Sequence, residues 1–231
     1  MKIYDCTTFH SEHMMMDVRF NALNEHVHKF IVVESLFSHS GEKKKLNFDI
    51  NNYSKFKDKI IYLVIDREPD DLINPLNENI QYKRINSIKR IELSYDFMMS
   101  EIKKLSDNDL IILSDNDEIP NLESAQFKDS NSDIYIFKQL FFYYKFNLLY
   151  DRMYWFGSKA CTKKKLKSLS WLRNLKNKKY PFWRVDTFFS KTKSSSLKII
   201  NDGGWHFTNV MTAENLYTKM TNFGHHDEFE L

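Results

Sequence analysis

Four apolar residues run directly into a cluster of acids in the segment LIILSDNDEIP, residues 110–120. Asp115, Asp117 and Glu118 place three carboxylates within four positions. Carboxylates this close repel one another unless a cation lies between them. Mn²⁺ and Mg²⁺ prefer oxygen ligands and leave coordination positions open for substrate phosphates. The spacing of Asp115 and Asp117 therefore predicts a site for Mn²⁺ or Mg²⁺ that also binds a diphosphate, with a helix cap or Asx turn as the structural alternative.

Histidine and arginine side chains add further candidate ligands. His206 lies in GGWHF and His226 in FGHHDEF, and a neutral imidazole can complete the coordination shell of Mn²⁺. The structural alternatives are a core histidine beside an aromatic residue and a solvated turn. Arg19, Arg67 and Arg184 are candidate phosphate partners, because a guanidinium binds phosphate through two parallel hydrogen bonds.

These candidate residues must be positioned by strands and helices, which the sequence predicts as short apolar runs that alternate with helical patterns. The patterns predict strands over 2–9, 29–34, 59–66 and 109–114, and helices over 14–23 and 88–105. Strand, helix, strand in this order is typical of parallel strands joined by crossovers. We therefore predict one α/β domain over residues 1–231, with a Rossmann-like, mostly parallel central sheet, helices on both faces and an irregular C-terminal region.

Polar residues follow several predicted strands. Glu34 ends the second strand and Ser35 follows it, Arg67 follows the third, and Asp115 follows the fourth. Ligands of open α/β sheets bind beyond the carboxyl ends of the strands. These clusters therefore predict a binding site at one edge of the sheet.

Composition limits the function classes. The 231 residues are 42% hydrophobic, enough for a sizeable core, and the net charge of +3 does not indicate a nucleic-acid binder. Residues 152–184 contain 11 Lys or Arg residues and no acid, which predicts either a solvated surface or a surface for anionic lipid or phosphate. No apolar run reaches the ~20 residues of a membrane span, so we expect a cytoplasmic protein, with peripheral membrane contact through this block as a further option.

Several segments together resemble glycosyltransferase family 17, the relatives of the β-1,4-mannosyl-glycoprotein 4-β-N-acetylglucosaminyltransferase. They occur in the family's order across nearly the whole chain. The segments are KIYDCTTFHSE, RFNALNEHVHKFIVVES, FSHSGEKKKLNF, LSDNDEIPN, DGGWHFTNV and KMTNFGHHDEF.

This resemblance implies a GT-A-type fold, a UDP-sugar donor, a glycan acceptor and a divalent metal. Residues 1–120 would bind the nucleotide sugar, and residues 121–231 would form the acceptor side. The matching family positions are Asp115 and Asp117 at the metal and diphosphate, Glu34, Ser35 and His39 in an ESxxxHxG element at the nucleotide, Trp205 and His206 in GWHF, and His226, Glu228 and Phe229 near the C-terminus.

The implied reaction moves GlcNAc from UDP-GlcNAc to a glycan hydroxyl with inversion. Such a displacement needs a general base for the acceptor proton, and Glu118, Asp186 and Asp202 are the candidates. Asp186 lies in PFWRVDTFF, where a sugar ring could stack on Trp183. A buried Asp paired with Arg184 is the structural alternative.

Two other functions fit parts of the pattern. A metal-dependent phosphodiesterase or nuclease also needs clustered acids, and the eight histidines could supply ligands for two ions. A non-catalytic carbohydrate- or membrane-binding module could use the aromatic residues and the basic block. Such a module would keep its ligand when Asp115 and Asp117 are replaced, whereas the transferase would lose metal-dependent donor binding.

Overall fold

A computed structural model describes residues 1–74, 81–181 and 183–222. The strands are β1 (Ile3–Phe9), β2 (Lys29–Ser35), β3 (Ile60–Ile65), β4 (Leu110–Leu113), β5 (Glu118–Pro120), β6 (Ile134–Phe137), β7 (Gln139–Tyr143), β8 (Leu149–Trp155), β9 (Lys159–Thr162), β10 (Leu197–Ile200) and β11 (Gly204–Thr208). The α-helices are α1 (His13–Leu23), α2 (Gln81–Ile102), α3 (Ala125–Lys128), α4 (Leu169–Asn174), α5 (Asp186–Phe189) and α6 (Ala213–Asn222), and 3₁₀ segments cover Ile50–Lys59 and Lys163–Lys165.

The central sheet has seven strands in the order β10-β6-β9-β4-β1-β2-β3. β1 pairs in parallel with β2 and β4, β2 with β3, and β10 with β6. Among the described strands of this sheet, β9 alone runs antiparallel to its neighbours, β4 and β6. The predicted α/β fold with a mostly parallel sheet is therefore confirmed.

Helices cover both faces of the sheet because the buried strands are apolar on both faces. On β2, Val32 packs in one cluster with Phe20 of α1, and Val33 packs in another cluster with Met98 of α2 and Leu172 of α4. Successive side chains of a strand point to opposite faces, so neighbouring residues of one strand belong to two cores. Within the described ranges, no helix has the length and apolar character needed to span a bilayer.

The C-terminal half is more regular than predicted. It contributes a second sheet of four strands in the order β5-β11-β7-β8, in which β11 is parallel to β7 and antiparallel to β5. The strands approach closely at Gly204, whose φ is +106° and whose added Cβ would lie 2.2 Å from the carbonyl oxygen of Ile119. A glycine is required there because other residues rarely adopt this φ. The predicted irregular region is therefore a small sheet that begins with the acidic segment.

Candidate active site

A cavity of about 490 Å³ lies at the carboxyl ends of the central strands. We call it the first cavity. Its walls include Thr8 and Ser35 from the strand ends, Arg90 and Tyr95 from α2, Asp115, Asn116 and Asp117 from the acidic loop, Arg173 from α4, and His206 and Thr208 from β11. This position is where open α/β sheets bind ligands.

A buried ion pair holds the backbone of the acidic loop, residues 115–118, in place. Arg19 of α1 and Asp5 of β1 are both fully buried, and Nε of Arg19 donates to Oδ2 of Asp5 over 2.7 Å. Nη1 of Arg19 donates to the carbonyl oxygens of Asp115 at 3.1 Å and Glu118 at 2.8 Å. The prediction of Arg19 as a phosphate partner is therefore wrong, because its guanidinium is buried and bonded to the loop.

Glu118 has no exposed surface and is bonded on all sides. Its Oε1 accepts from Nε1 of Trp155 at 2.7 Å, and its Oε2 accepts from the backbone N–H of Asp115 at 2.9 Å and from Nη1 of Arg173 at 3.1 Å. An added Cβ on Gly157 would lie 1.8 Å from Oε1. A carboxylate enclosed in this way organises the loop and is poorly placed to act as the base that we expected.

Asp115 forms an ion pair with Arg173, with Nη2 2.5 Å from Oδ2. About half of the Asp115 side chain (51%) is exposed, and the residue lines the first cavity. The surrounding protein raises the pKa of Asp115 to about 6 through desolvation, and the nearby charges of Glu118 and Asp117 act in the same direction against Arg173. Asp115 is therefore a carboxylate that gains from a further cation beside it.

Asp117 faces two cationic or potentially cationic groups. Nε2 of His206 lies 3.5 Å from Oδ1, and Nζ of Lys219 lies 3.7 Å from Oδ2. Burial by itself raises the pKa of Asp117, but His206 and Lys219 outweigh it and leave the pKa below the ordinary value. The imidazole of His206 stacks on Trp155 with 4.6 Å between ring centroids, so its orientation is fixed.

Three buried polar atoms in this region have no hydrogen-bond partner within the described part of the chain. They are Nδ2 and Oδ1 of Asn116 and Nδ1 of His206. Buried polar groups are nearly always hydrogen-bonded in native proteins. A ligand or an ordered water at the acidic loop would therefore find hydrogen-bonding atoms there.

The donor set suits Mn²⁺ or Mg²⁺ in its chemistry. Asp115 and Asp117 offer carboxylate oxygens, and His206 offers an imidazole nitrogen. In the described ranges, no three His, Cys, Asp or Glu side chains are arranged to hold one ion, because Asp115 is turned toward Arg173. His226, the fourth predicted ligand, lies outside the described residues.

The residues predicted to bind the nucleotide separate into two groups. Ser35 and His39 line the first cavity. Glu34 is fully buried, and its oxygens accept from Tyr62 Oη at 2.8 Å and from the backbone N–H groups of Asn47 and Phe48. Glu34 therefore holds the chain that follows β2 and does not reach a nucleotide. Arg67 is exposed and is not among the residues that line the cavity.

The other two predicted bases lie away from the cavity lining. Asp186 pairs with Arg184 at 2.8 Å and Lys193 at 2.7 Å, and their hydrogen bonds lower the pKa of Asp186 to about 2. Asp202 accepts from Nδ2 of Asn121 at 3.0 Å. Neither residue lies where a sugar in the cavity would react.

Several residues of the basic block are bonded within the protein. Lys159 is buried, and its Nζ donates to the carbonyl oxygens of Arg173 and Leu175, both at 2.6 Å. Lys163 pairs with Asp107 and Lys164 with Asp133. The 152–184 segment therefore supplies internal hydrogen bonds and ion pairs in addition to exposed charge. It also supplies Arg173, a cation that lines the first cavity.

Several site residues carried no signal in the sequence. Arg173 was one of 11 basic residues in a block, and Trp155 resembled any core aromatic residue. A second cavity of about 370 Å³ was not expected. It adjoins the first cavity and shares His10, Glu12, Asp117 and Lys219 with it.

A mostly parallel sheet with a cavity beyond the carboxyl ends of its strands is the arrangement in which open α/β proteins bind ligands. The chain belongs to glycosyltransferase family 17, whose model matches residues 1–231, and it is accordingly a glycosyltransferase. Among solved structures it is similar to the inositol-1-phosphate CTP transferase from T. maritima, at 13% identity over 96% of each chain and a TM-score of 0.41. None of the curated proteins matches it.

Proposed function

We propose that this glycosyltransferase moves GlcNAc from UDP-GlcNAc to a hydroxyl group of a glycan, by a direct displacement assisted by Mn²⁺ or Mg²⁺. The observation that supports the proposal is the acidic loop in the first cavity. It presents Asp115 and Asp117 beside His206, and the buried amide of Asn116 in the same loop lacks a partner in the described ranges.

The charged side chains of the first cavity support the binding of a nucleoside diphosphate. Arg173 lies beside Asp115, and Lys219 lies beside Asp117, so cations alternate with carboxylates along the wall. When bound, a divalent metal would supply positive charge to the leaving diphosphate. Asp115, Asp117 and His206 would hold that metal, and Arg173 would stabilise charge that develops on the phosphates.

The nucleotide would lie toward the ends of β1 and β2. Thr8 and Ser35 line the first cavity there, and His39 joins them from the following loop. This assignment keeps two of the three residues expected from the ESxxxHxG element. The third, Glu34, would act indirectly by holding the loop through Asn47 and Phe48.

Thermal unfolding with nucleotides tests the proposal. We expect UDP-GlcNAc with Mn²⁺ to give the largest rise in Tm among UDP, UDP-GlcNAc, UDP-Gal and GDP-mannose. A ligand at 100 times its Kd stabilises by about 2.7 kcal/mol, which corresponds to about 5–11 °C for a domain of this size.

Two variants sharpen the measurement. Asp117→Asn should lose the Mn²⁺-dependent part of the shift, because it removes a predicted metal ligand. Asp202→Asn is the matched control and should keep the shift, since Asp202 lies outside the cavity lining. The proposal fails if no nucleotide raises the Tm of the wild-type protein, or if both variants respond alike.

A further inference from the structure

The two cavities meet at a common wall. His10, Glu12, Asp117 and Lys219 line both of them. A transferase must bring a donor and an acceptor together at one point. If the donor occupies the first cavity, the acceptor hydroxyl has to arrive through a neighbouring space, and the second cavity provides one.

The lining of the second cavity suits a saccharide. Its lining contains both apolar and polar side chains, and a sugar ring likewise combines an apolar C–H face with a rim of hydroxyl groups. The apolar lining comprises Met14, Met15, Phe207, Val210 and Met211, and the polar lining includes Ser11, Thr212, Asn215 and Thr218.

The common wall also has to supply a base for the acceptor proton. Asp117 is a proposed metal ligand, and Lys219 is a cation beside it. Glu12 is engaged with the backbone, because its Oε2 accepts from the N–H groups of His10 at 3.2 Å and Ser11 at 3.0 Å. His10 is the fourth of these residues, and its neutral side chain is a base near pH 7; its Nδ1 lies 3.4 Å from Oγ of Ser11.

The environment of His10 favours the neutral imidazole that a base requires. Burial lowers its pKa, and Lys44 acts in the same direction, while Glu12 and Glu34 oppose them. A neutral imidazole carries one proton and one lone pair, so it can accept a proton at pH 7.

The backbone of His10 is fixed on both sides. Its N–H donates to Glu12, and its carbonyl oxygen accepts from Nδ2 of Asn47 at 2.7 Å. The N–H of Asn47 in turn donates to the buried Glu34 at 2.8 Å. A catalytic side chain needs this kind of support, since small displacements from productive geometry reduce rates strongly.

We propose that the second cavity binds the acceptor saccharide and that His10 is the general base of the transfer. This inference rests on the proposed function. The acceptor oxygen forms a bond to the anomeric carbon of the donor sugar as the bond from that carbon to the diphosphate oxygen breaks. The diphosphate leaves with the bonding electrons, and the acceptor proton passes to the lone-pair nitrogen of His10 and then to solvent.

UDP release from UDP-GlcNAc in the presence of Mn²⁺ provides the assay, with water or p-nitrophenyl β-mannoside as the acceptor. We expect His10→Gln to reduce the rate about 10²–10⁴-fold, the usual contribution of a general base. The Tm shift given by UDP and Mn²⁺ should persist in this variant. His28→Gln is the matched control, because His28 is outside the lining of both cavities, and it should retain the rate.

Two further readouts distinguish a base from a structural role. In a plot of rate against pH, the wild-type rate should fall at low pH as His10 becomes protonated, with a pKa below 6.5. The rate of His10→Gln should not show this fall. Added imidazole should restore part of the rate to His10→Ala, which retains the space of the missing ring.

The inference is overturned if His10→Gln releases UDP at the wild-type rate, or if Glu12→Gln removes the acid limb while His10→Gln keeps it. If His10→Gln does not fold, the imidazole rescue of His10→Ala decides the question, and absence of rescue in a variant that binds UDP counts against the base. A wild-type protein that binds and cleaves no sugar nucleotide contradicts the proposed function itself.

Discussion

Replacing Asn116 by Leu exchanges a buried carboxamide for an apolar side chain of similar size. Asn116 is 7% exposed, and neither atom of its amide has a hydrogen-bond partner within residues 1–74, 81–181 and 183–222. Among the described non-glycine residues, positive φ occurs only at Tyr144 and Asn209. The backbone of Asn116 therefore accepts leucine without strain.

The magnitude follows from the desolvation of the amide. An unsatisfied buried polar group costs about 1–3 kcal/mol, so Asn116→Leu should stabilise the ligand-free protein by about 2 kcal/mol. For a domain of this size, that corresponds to a rise in Tm of about 4–8 °C. The same variant should show a smaller Tm shift with UDP and Mn²⁺, because the amide that lines the cavity would no longer bond to the ligand.

Asn86→Leu is the matched control. Asn86 is also 7% exposed, but its Oδ1 accepts from the N–H of Ile73 at 2.8 Å and its Nδ2 donates to the carbonyl oxygen of Ile73 at 2.9 Å. Its replacement leaves two backbone groups without these partners and should lower the Tm, with an unchanged response to UDP. The reasoning is refuted if Asn116→Leu lowers the Tm as Asn86→Leu does.

Three further expectations follow from buried or paired charges. Arg19→Met should destabilise the protein by about 3–5 kcal/mol, because it leaves Asp5 buried and uncompensated; the double variant with Asp5→Leu should recover much of this loss in urea unfolding. Burial lowers the pKa of Lys159 to about 8 from the ordinary 10.5, so the native state binds this proton less tightly than the unfolded chain does. As pH falls from 10.5 to 8, the free energy of unfolding of the wild-type protein should fall by about 3 kcal/mol relative to that of Lys159→Met. The same pH dependence of unfolding in both proteins would contradict this. Asp186→Asn should leave UDP release unchanged, and a large fall in rate would restore Asp186 as a base.

The sheet was predictable because its strands are short apolar runs between helical patterns. The predicted strand 2–9 corresponds to β1, and the predicted strand 29–34 corresponds to β2, each within one residue. The predicted helix 88–105 begins seven residues too late, since α2 starts at Gln81. Ile85 is 40% exposed and Ile88 is 46% exposed, so the first turns of α2 lack the buried apolar stripe from which the helix was predicted.

The site was only partly predictable, because a sequence shows residue types but not pairing. Asp115 and Asp117 follow a buried strand and were found for that reason. Glu34 lies near the end of β2 and Glu118 begins β5, yet both are fully buried and bonded within the protein. Arg173 reaches the cavity from α4, which lies in a basic block without a motif, and His10 lies in the segment KIYDCTTFHSE, which gave no role for it. The exposure of each acidic side chain to the cavity, and the cations with which it pairs, therefore depend on the folded structure.

The close approach of Gly157 to Glu118 has a consequence for how this chain can vary. A single methyl group at position 157 would overlap the carboxylate of Glu118, which also accepts hydrogen bonds from Trp155 and Arg173. In a library of all single substitutions, we expect Gly157 to reject even alanine, whereas acidic residues outside the cavity such as Asp186 and Asp202 accept many replacements. Natural selection beside Glu118 would then act most severely on a residue with no functional group.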